Sequence, residues 1–358
     1  MRLVWGTVDE VEREVAGAQF LRVSFDDGTR GRAVCYPTLS GTVMAGERVL
    51  LNTTAVDLAL GTGGSHFVVA RAPGADAVAV ASPSGGHIMK LRYTPLQVDV
   101  ASVEEQESPH HDTMVHATDL RGMPVACCGL HSHVPLVAAA VKSIDSSLRV
   151  AYVMTDFAAL PIALSDVVRA ATDAGLIDDT ITCGQAFGGD FEAVNLHSGL
   201  LAARHVAHAD VAVAAIGPGV VGTATPFGHG GIAQGEAVNA AFVLGGRPVS
   251  VLRLSFADER PRHRGVSHHS LTALVAVALA PAVVALPALP AEQRAAVDAA
   301  LDEAGVWARH ERFDTAGATP DLRGLSVTTM GRTADDDPAF FSAAFAAGEA
   351  CAALARDA

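Results

Sequence analysis

From about residue 124 the chain alternates short apolar runs with longer helix-patterned segments, and this alternation restricts the fold more than any other feature. PVACCGL is followed by VPLVAAAVKSI, RVAYVMTD by PIALSDVVRAAT, DTITCG by FEAVNLHSGLLAARHV, and DVAVAAI by IAQGEAVNAAFVLGG. PVSVLRLSF is then followed by LTALVAVALA, and AVVALPA by AEQRAAVDAALDEAG. The strand runs are continuously apolar, as expected where both faces of a sheet are covered. Such alternation predicts right-handed crossovers and a three-layer, doubly wound, mainly parallel α/β domain over 87–358. Within it, GHIMKLRYTPLQVDVAS reads as an extended antiparallel lead-in, and VEEQESPHHDTMVHATDLRG as a loop or lid. HERFDT reads as an edge strand and PAFFSAAFAAGEACAALA as a terminal helix, with the carboxylates of DDDP placed where the helix dipole favours them.

Residues 1–80 follow a different rhythm. LVWGTV, QFLRVSF, RAVCYP, ERVLLNTTAV and HFVVA are short β-prone runs separated by turn signals such as DDGT, LSGT and MAGE. That spacing predicts a small all-β, barrel-like domain, with an oligonucleotide-binding-type barrel among the options. RAPGADAVAVASPSGG (71–86) reads as the linker.

Composition removes several classes. The formal net charge of −14 leaves no excess of cations to displace counterions, so nucleic acid is not an expected partner. The five cysteines are odd in number, two are adjacent and none forms C-x-x-C, which fits a reducing cytoplasm better than a disulfide framework. No secretory pattern opens the chain. LTALVAVALAPAVVALPALP (271–290) has the composition of a membrane span, but Pro281, Pro287 and Pro290 cut it. It reads as a buried helix, a proline stop and a buried strand, so no membrane is expected. A homo-oligomer stays open. Lysine is confined to Lys90 and Lys142, and no Walker-type loop exists, so arginines must carry any anion binding.

In a parallel sheet all strand-to-helix turns lie on one rim, beside the crevice where such folds bind ligands. Here those turns are HSH (131–133), TDFAALP (155–161), CGQAFGGD (183–190), GPGVVGTATPFGHGG (217–231) and the 258–269 loop. His131 and His133 are candidate metal ligands, with Asp156 or Asp258 either completing a divalent site or doing acid–base work beside the histidines. HHDTMVH (110–116) reads as a solvated loop whose imidazoles could instead close over a ligand. Cys183 and Gly184 open a glycine-rich turn, where a thiol can become a nucleophile or be a small core residue. Asp190 reads as a helix cap.

GPGVVG formally matches the dinucleotide fingerprint, but Pro226 and the following glycines delay the helix, and no acidic residue closes the next strand at the right distance. Gly217, Gly219 and Gly222 read better as backbone that cradles phosphate or carboxylate. SFADERPRHRGVSHHS (255–270) gathers Arg260, Arg262 and Arg264 to grip anionic oxygens. His263, His268 and His269 are there to move protons, while Ser267 or Ser270 caps the next helix.

MTDFAALP, CGQAFGGD, GPGVVGTATPFGHGG, SFADERPRHRGVSHHS and MGRTADDDPAFFSAAFAAG together resemble a bacterial family catalogued only as domain of unknown function 3866. The resemblance runs over nearly the whole chain. It implies that the arrangement recurs as one unit, and it brings no activity. The residues themselves point to a hydrolase or transferase for a small anionic substrate, with a divalent metal as an optional cofactor. The alternative is a non-catalytic sensor or scaffold that binds a nucleotide or phosphometabolite.

Overall fold

In the computed structural model, which describes residues 1–59, 64–72, 85–317 and 319–357, the apolar runs become strands. The chain divides into two compact units, Met1–Ala101 and Ser102–Ala358. The segment expected to be a linker falls largely outside the described residues.

In the first unit, strands β1 (Leu3–Val15), β2 (Ala18–Phe25), β3 (Arg30–Cys35), β4 (Arg48–Asn52) and β5 (Ser65–Arg71) close a barrel in the order β1-β2-β3-β5-β4. β3 and β5 run parallel while the other pairs are antiparallel. Two irregularities let the long β1 bend from β4 to β2, between Val8 and Glu10 and between Val11 and Arg13. Val8, Leu21, Val23, Ala33, Val49, Leu51 and Val68 fill the interior. Single-turn helices α1 (Pro37–Ser40) and α2 (Thr54–Asp57) flank β4, and β6 (Ile88–Lys90) pairs with β7 (Val98–Val100) as an antiparallel ribbon.

The second unit carries eight parallel strands: β8 (Pro124–Cys128), β9 (Val150–Thr155), β10 (Asp179–Cys183), β11 (Phe191–Ala193), β12 (Val211–Ile216), β13 (Arg247–Val251), β16 (Val283–Leu286) and β17 (Glu311–Asp314). A two-residue pair, β14 (Leu254–Ser255) and β15 (Gly265–Val266), stands apart. The sheet order is β11-β10-β9-β12-β8-β13-β16-β17. The longer connecting segments are α3 (His111–His116), α4 (His133–Ile144), α5 (Asp166–Asp173), α6 (Leu196–His205), α7 (Ala233–Val243), α8 (His268–Leu271), α9 (Ala291–Glu303) and α10 (Pro338–Arg356).

Alternate strand residues serve opposite faces. Ala126, Cys128, Tyr152 and Val213 pack towards α4, α5 and α10, whereas Val125, Cys127, Val153 and Ala212 pack towards α6 and α7. The continuous apolarity of these strands therefore comes from two cores, not one. α10 is long and apolar enough to cross a membrane, yet 13 of its 19 residues are buried against α4 and the sheet. Gly348 makes that packing possible, because a Cβ there would collide with Ala140 and the Val137 carbonyl.

β8 and β12 are neighbours, but the chain leaves β8 to α4 on one face and leaves β12 to α7 on the other. This divergence is a topological switch point, and it opens a crevice at the carboxyl ends of the two strands.

Three local expectations change. FEA pairs with β10 as a strand, and α6 begins only after Asn195, whose side chain accepts the Ser198 N–H. Asp190 therefore does not cap that helix; it accepts hydrogen bonds from the Thr180 N–H and hydroxyl. HHDTMVH is not an irregular solvated loop: His111–His116 form α3, His111 Nδ1 meets the Glu104 carbonyl oxygen at 2.8 Å, and the His110 ring lies edge-on to Phe191.

Candidate functional site

Two cavities occupy the carboxyl edge of the sheet, and Val220 and Met330 line both. The first, of about 310 Å3, lies at the switch point between Leu130–Ser132 and Pro218–Val220. The second, of about 160 Å3, is lined by Arg253, Arg260, Arg262, His263, His269 and the glycine loop. Among its described lining residues there are three guanidiniums and no carboxylate.

Arg253 sits where the apolar run from β13 breaks before β14, and only 5% of it is exposed. Its N–H bonds to Ser270 Oγ at 2.9 Å and its carbonyl oxygen accepts the Ser267 N–H at 2.9 Å, which fixes the bend. Burial, with Arg260 next, lowers its pKa to about 10, so it is a cation at neutral pH. Asp258, 2% exposed, is the counter-charge. Arg260 grips it with two prongs at 2.9 and 2.7 Å, Arg332 approaches at 3.5 Å and Arg253 at 3.7 Å. The Arg260 hydrogen bonds hold the Asp258 carboxyl well below the usual carboxylate range. Asp258 thus anchors guanidiniums and is not the acid–base group expected from the sequence.

The glycine loop folds back as a small hairpin. Gly222 bridges His229 in antiparallel fashion, Thr223 N–H bonds to the Gly228 carbonyl oxygen at 2.9 Å, and Gly230 N–H to that of Val221 at 3.0 Å. This brings His229 onto His269, with parallel rings 3.7 Å apart at 3°. His268 and His269 open α8, which Ser267 caps by accepting the His269 N–H. The chain then widens into a π-helix over Thr272–Val277. His310 holds that helix by giving Nε2–H to the Leu274 carbonyl oxygen and accepting the Ala282 N–H at Nδ1. Arg309 donates to the Ala278 carbonyl oxygen at 2.5 Å.

Burial pushes every imidazole of this cluster below its ordinary value, and Arg253 lowers all of them further. His263, at about 3, is a neutral ring whose Nδ1 lies 2.7 Å from Ser267 Oγ. His229 gives Nε2–H to the Pro226 carbonyl oxygen at 3.1 Å, so its Nδ1 presents a lone pair. That Nδ1 and the Nε2 of His268 are buried with no hydrogen-bond partner.

His229, His268 and His269 offer ring nitrogens within 4.8 Å of one another and could hold a metal ion. Three features oppose this. Nδ1 of His269 accepts from Arg253 at 3.3 Å, and the parallel rings of His229 and His269 do not converge on one ion. Ligands at about 2.0–2.1 Å from a tetrahedral metal must converge more closely than this. The neighbouring guanidiniums favour a negative guest over a positive one.

The remaining expected residues disperse. His131 and His133 do not form a metal pair. His131 lines the first cavity with Nδ1 held by Tyr152 and the Ile216 carbonyl oxygen, and with Nε2 2.7 Å from Ser165 Oγ. His133 is buried, stacked on Phe340 at 4.7 Å, and both its nitrogens lack partners. Cys183 is 2% exposed in the α6-side core, with Gly199 against its sulfur, which removes the accessible thiolate that a nucleophile needs. Asp156 lies outside both cavities and accepts the Gln185 N–H at 2.8 Å. Gly184, at φ +66°, must be glycine for a second reason: any Cβ would strike that carboxylate. Gly217 follows β12 outside the lining, Gly219 lines the first cavity and Gly222 the second. Arg264 is exposed and outside the lining.

Sequence reasoning passed over Arg253, His229 and the 326–330 segment. A lone arginine inside the apolar run VSVLRLSF was the available signal for the first.

A search among curated proteins found no match, and a search among solved structures found none either. A family model described as protein of unknown function (DUF3866) matches residues 32–348, from β3 to within α10, and the chain belongs to that family.

Proposed function

We propose that the chain is an enzyme of the hydrolase or transferase class acting on a small anionic substrate at the carboxyl edge of its parallel sheet. The observation that carries this reading is the cavity with three guanidiniums, two neutral imidazoles and no carboxylate among its described lining residues. Arg253, Arg260 and Arg262 supply charge-assisted hydrogen bonds to an anion. With its Nδ1 proton given to Ser267, neutral His263 presents Nε2 as a base towards water or a substrate hydroxyl. A bound anion offsets the arginine field and raises the imidazole pKa towards the range where a general base works best.

The test has two parts. Methylphosphonate is expected to raise the melting temperature of wild-type protein, and Arg253→Met to abolish the shift. A panel of phosphomonoesters, followed by phosphate release, is expected to find turnover that His263→Gln lowers at least 100-fold, with methylphosphonate affinity changed less than threefold. No methylphosphonate shift would overturn the anion site. Binding without turnover of any ester would overturn the enzyme and leave the ligand-sensing alternative.

A divalent metal is the second reading, favoured by the partnerless Nδ1 of His229 and Nε2 of His268. It requires stoichiometric zinc, iron or manganese in protein purified without chelator, lost in His229→Ala/His268→Ala. The charge around the cluster predicts less than a tenth of an equivalent.

A further inference from the structure

We infer that the substrate is an organic phosphate with an uncharged, mainly apolar body, its phosphate in the arginine cavity and its body in the larger cavity beside it. This deepens the anion-site reading above and rests on it.

The two cavities are continuous in their walls, since Val220 and Met330 face both. They differ sharply in chemistry. The smaller holds Arg253, Arg260 and Arg262, contributed by a strand end and a loop. Three guanidiniums match a doubly charged group with three terminal oxygens better than a singly charged carboxylate with two.

The larger cavity has no charged lining residue among those described; Leu130, Val167 and Val327 join the shared Val220 and Met330. Its ionisable member, His131, is held neutral by burial, with a pKa of about 4. Both ring nitrogens of His131 already have partners. Ser132 and Thr328 add hydroxyls that can orient a guest without charge. A cavity of about 310 Å3 at the switch point has the size and lining of a small-molecule site, and a free phosphate would leave it unfilled. Inorganic phosphate is therefore a poor match for the whole site, as is a polyanionic sugar, whose charges would meet Val167 and Val327.

Calorimetric titration of the full chain at pH 8 with methylphosphonate and benzylphosphonate separates head from body, since the two share a head group and neither is hydrolysed. Benzylphosphonate is expected to bind at least tenfold more tightly. Thr328→Trp, at an exposed lining position, and Val167→Phe, on α5, are each expected to reduce that ratio to below threefold. Methylphosphonate affinity should stay within twofold in both. Equal affinity of wild type for the two ligands, or an unchanged ratio in both variants, overturns this inference and leaves the anion site standing. Failure of both ligands to bind removes the anion site, and this inference falls with it.

Discussion

Taking the protein from pH 6.5 to pH 5 is expected to cost about 3 kcal/mol of folding stability through His131 and His133 alone. Burial pushes His131 down to about 4 and His133 to about 3, against about 6.5 for an unfolded imidazole. In the folded chain both rings stay neutral at a pH where the unfolded chain takes up protons. Their contribution is fully present above about pH 6.5 and is lost as pH falls towards the folded values. Each ring contributes about 1.6 kcal/mol over that interval, and together they reach a large fraction of an ordinary domain's stability. Urea unfolding midpoints at pH 7, 6 and 5 measure the loss. His133→Leu should halve it, because this variant removes one titrating ring while keeping a similar volume against Phe340. At pH 7 the same variant should be no less stable than wild type, since two buried nitrogens without partners disappear. Identical pH dependence in wild type and variant would refute the assignment.

Asp258→Ala is expected to cost about 3–5 kcal/mol at pH 7.5, the usual penalty for removing one member of a buried ion pair. The carboxylate is 2% exposed, and it is the shared acceptor for Arg260, Arg332 and Arg253. Without it, those guanidiniums are left to repel one another around a position that is itself buried. Arg332→Met in the same chain should restore part of the loss by removing one of the cations, although Arg332 also bonds to Asp337. Asp258→Asn keeps the shape but not the charge and should fall close to the alanine variant. Because Arg260 lowers the Asp258 pKa, this contribution is present above about pH 4 and vanishes only in stronger acid, a window separate from that of the histidines. A cost below about 1 kcal/mol, within the range of surface pairs, would show that the cluster is solvated.

The fold was legible because the strand-to-helix rhythm is written in every repeat. β8, β9, β12 and β16 are buried on both faces, and such strands leave continuous apolar runs that a periodicity argument can find. β11 escaped because three residues beside a glycine turn carry too little pattern to separate a strand from a helix start.

The site was legible only in outline. Its loops were identified, and Gly219, Gly222, Arg260, Arg262, His263 and His269 do line the two cavities. Side-chain direction was not legible. Whether His133 faces solvent or Phe340 depends on the first turn of α4, and whether Cys183 points to the rim or to α6 depends on strand register. His229 became part of the cluster through a hairpin that closes between Gly222 and His229, and glycine-rich loops announce no such closure. The 326–330 segment has neither helical nor strand periodicity, so nothing in its spelling aims it at the crevice.

The π-helix after His269 leaves slack in the chain beside the site. A π-turn contains about one residue more than an α-turn, so deleting one residue from 272–277 would leave a regular helix. The widened turn already absorbs that residue, so the segment ahead of the deletion would keep nearly the same facing relative to Ala278. The same deletion in a regular α-helix would swing it by about 100°. Both adjacent imidazoles would therefore stay beside the arginines, and the chain could lose one codon here without losing the site.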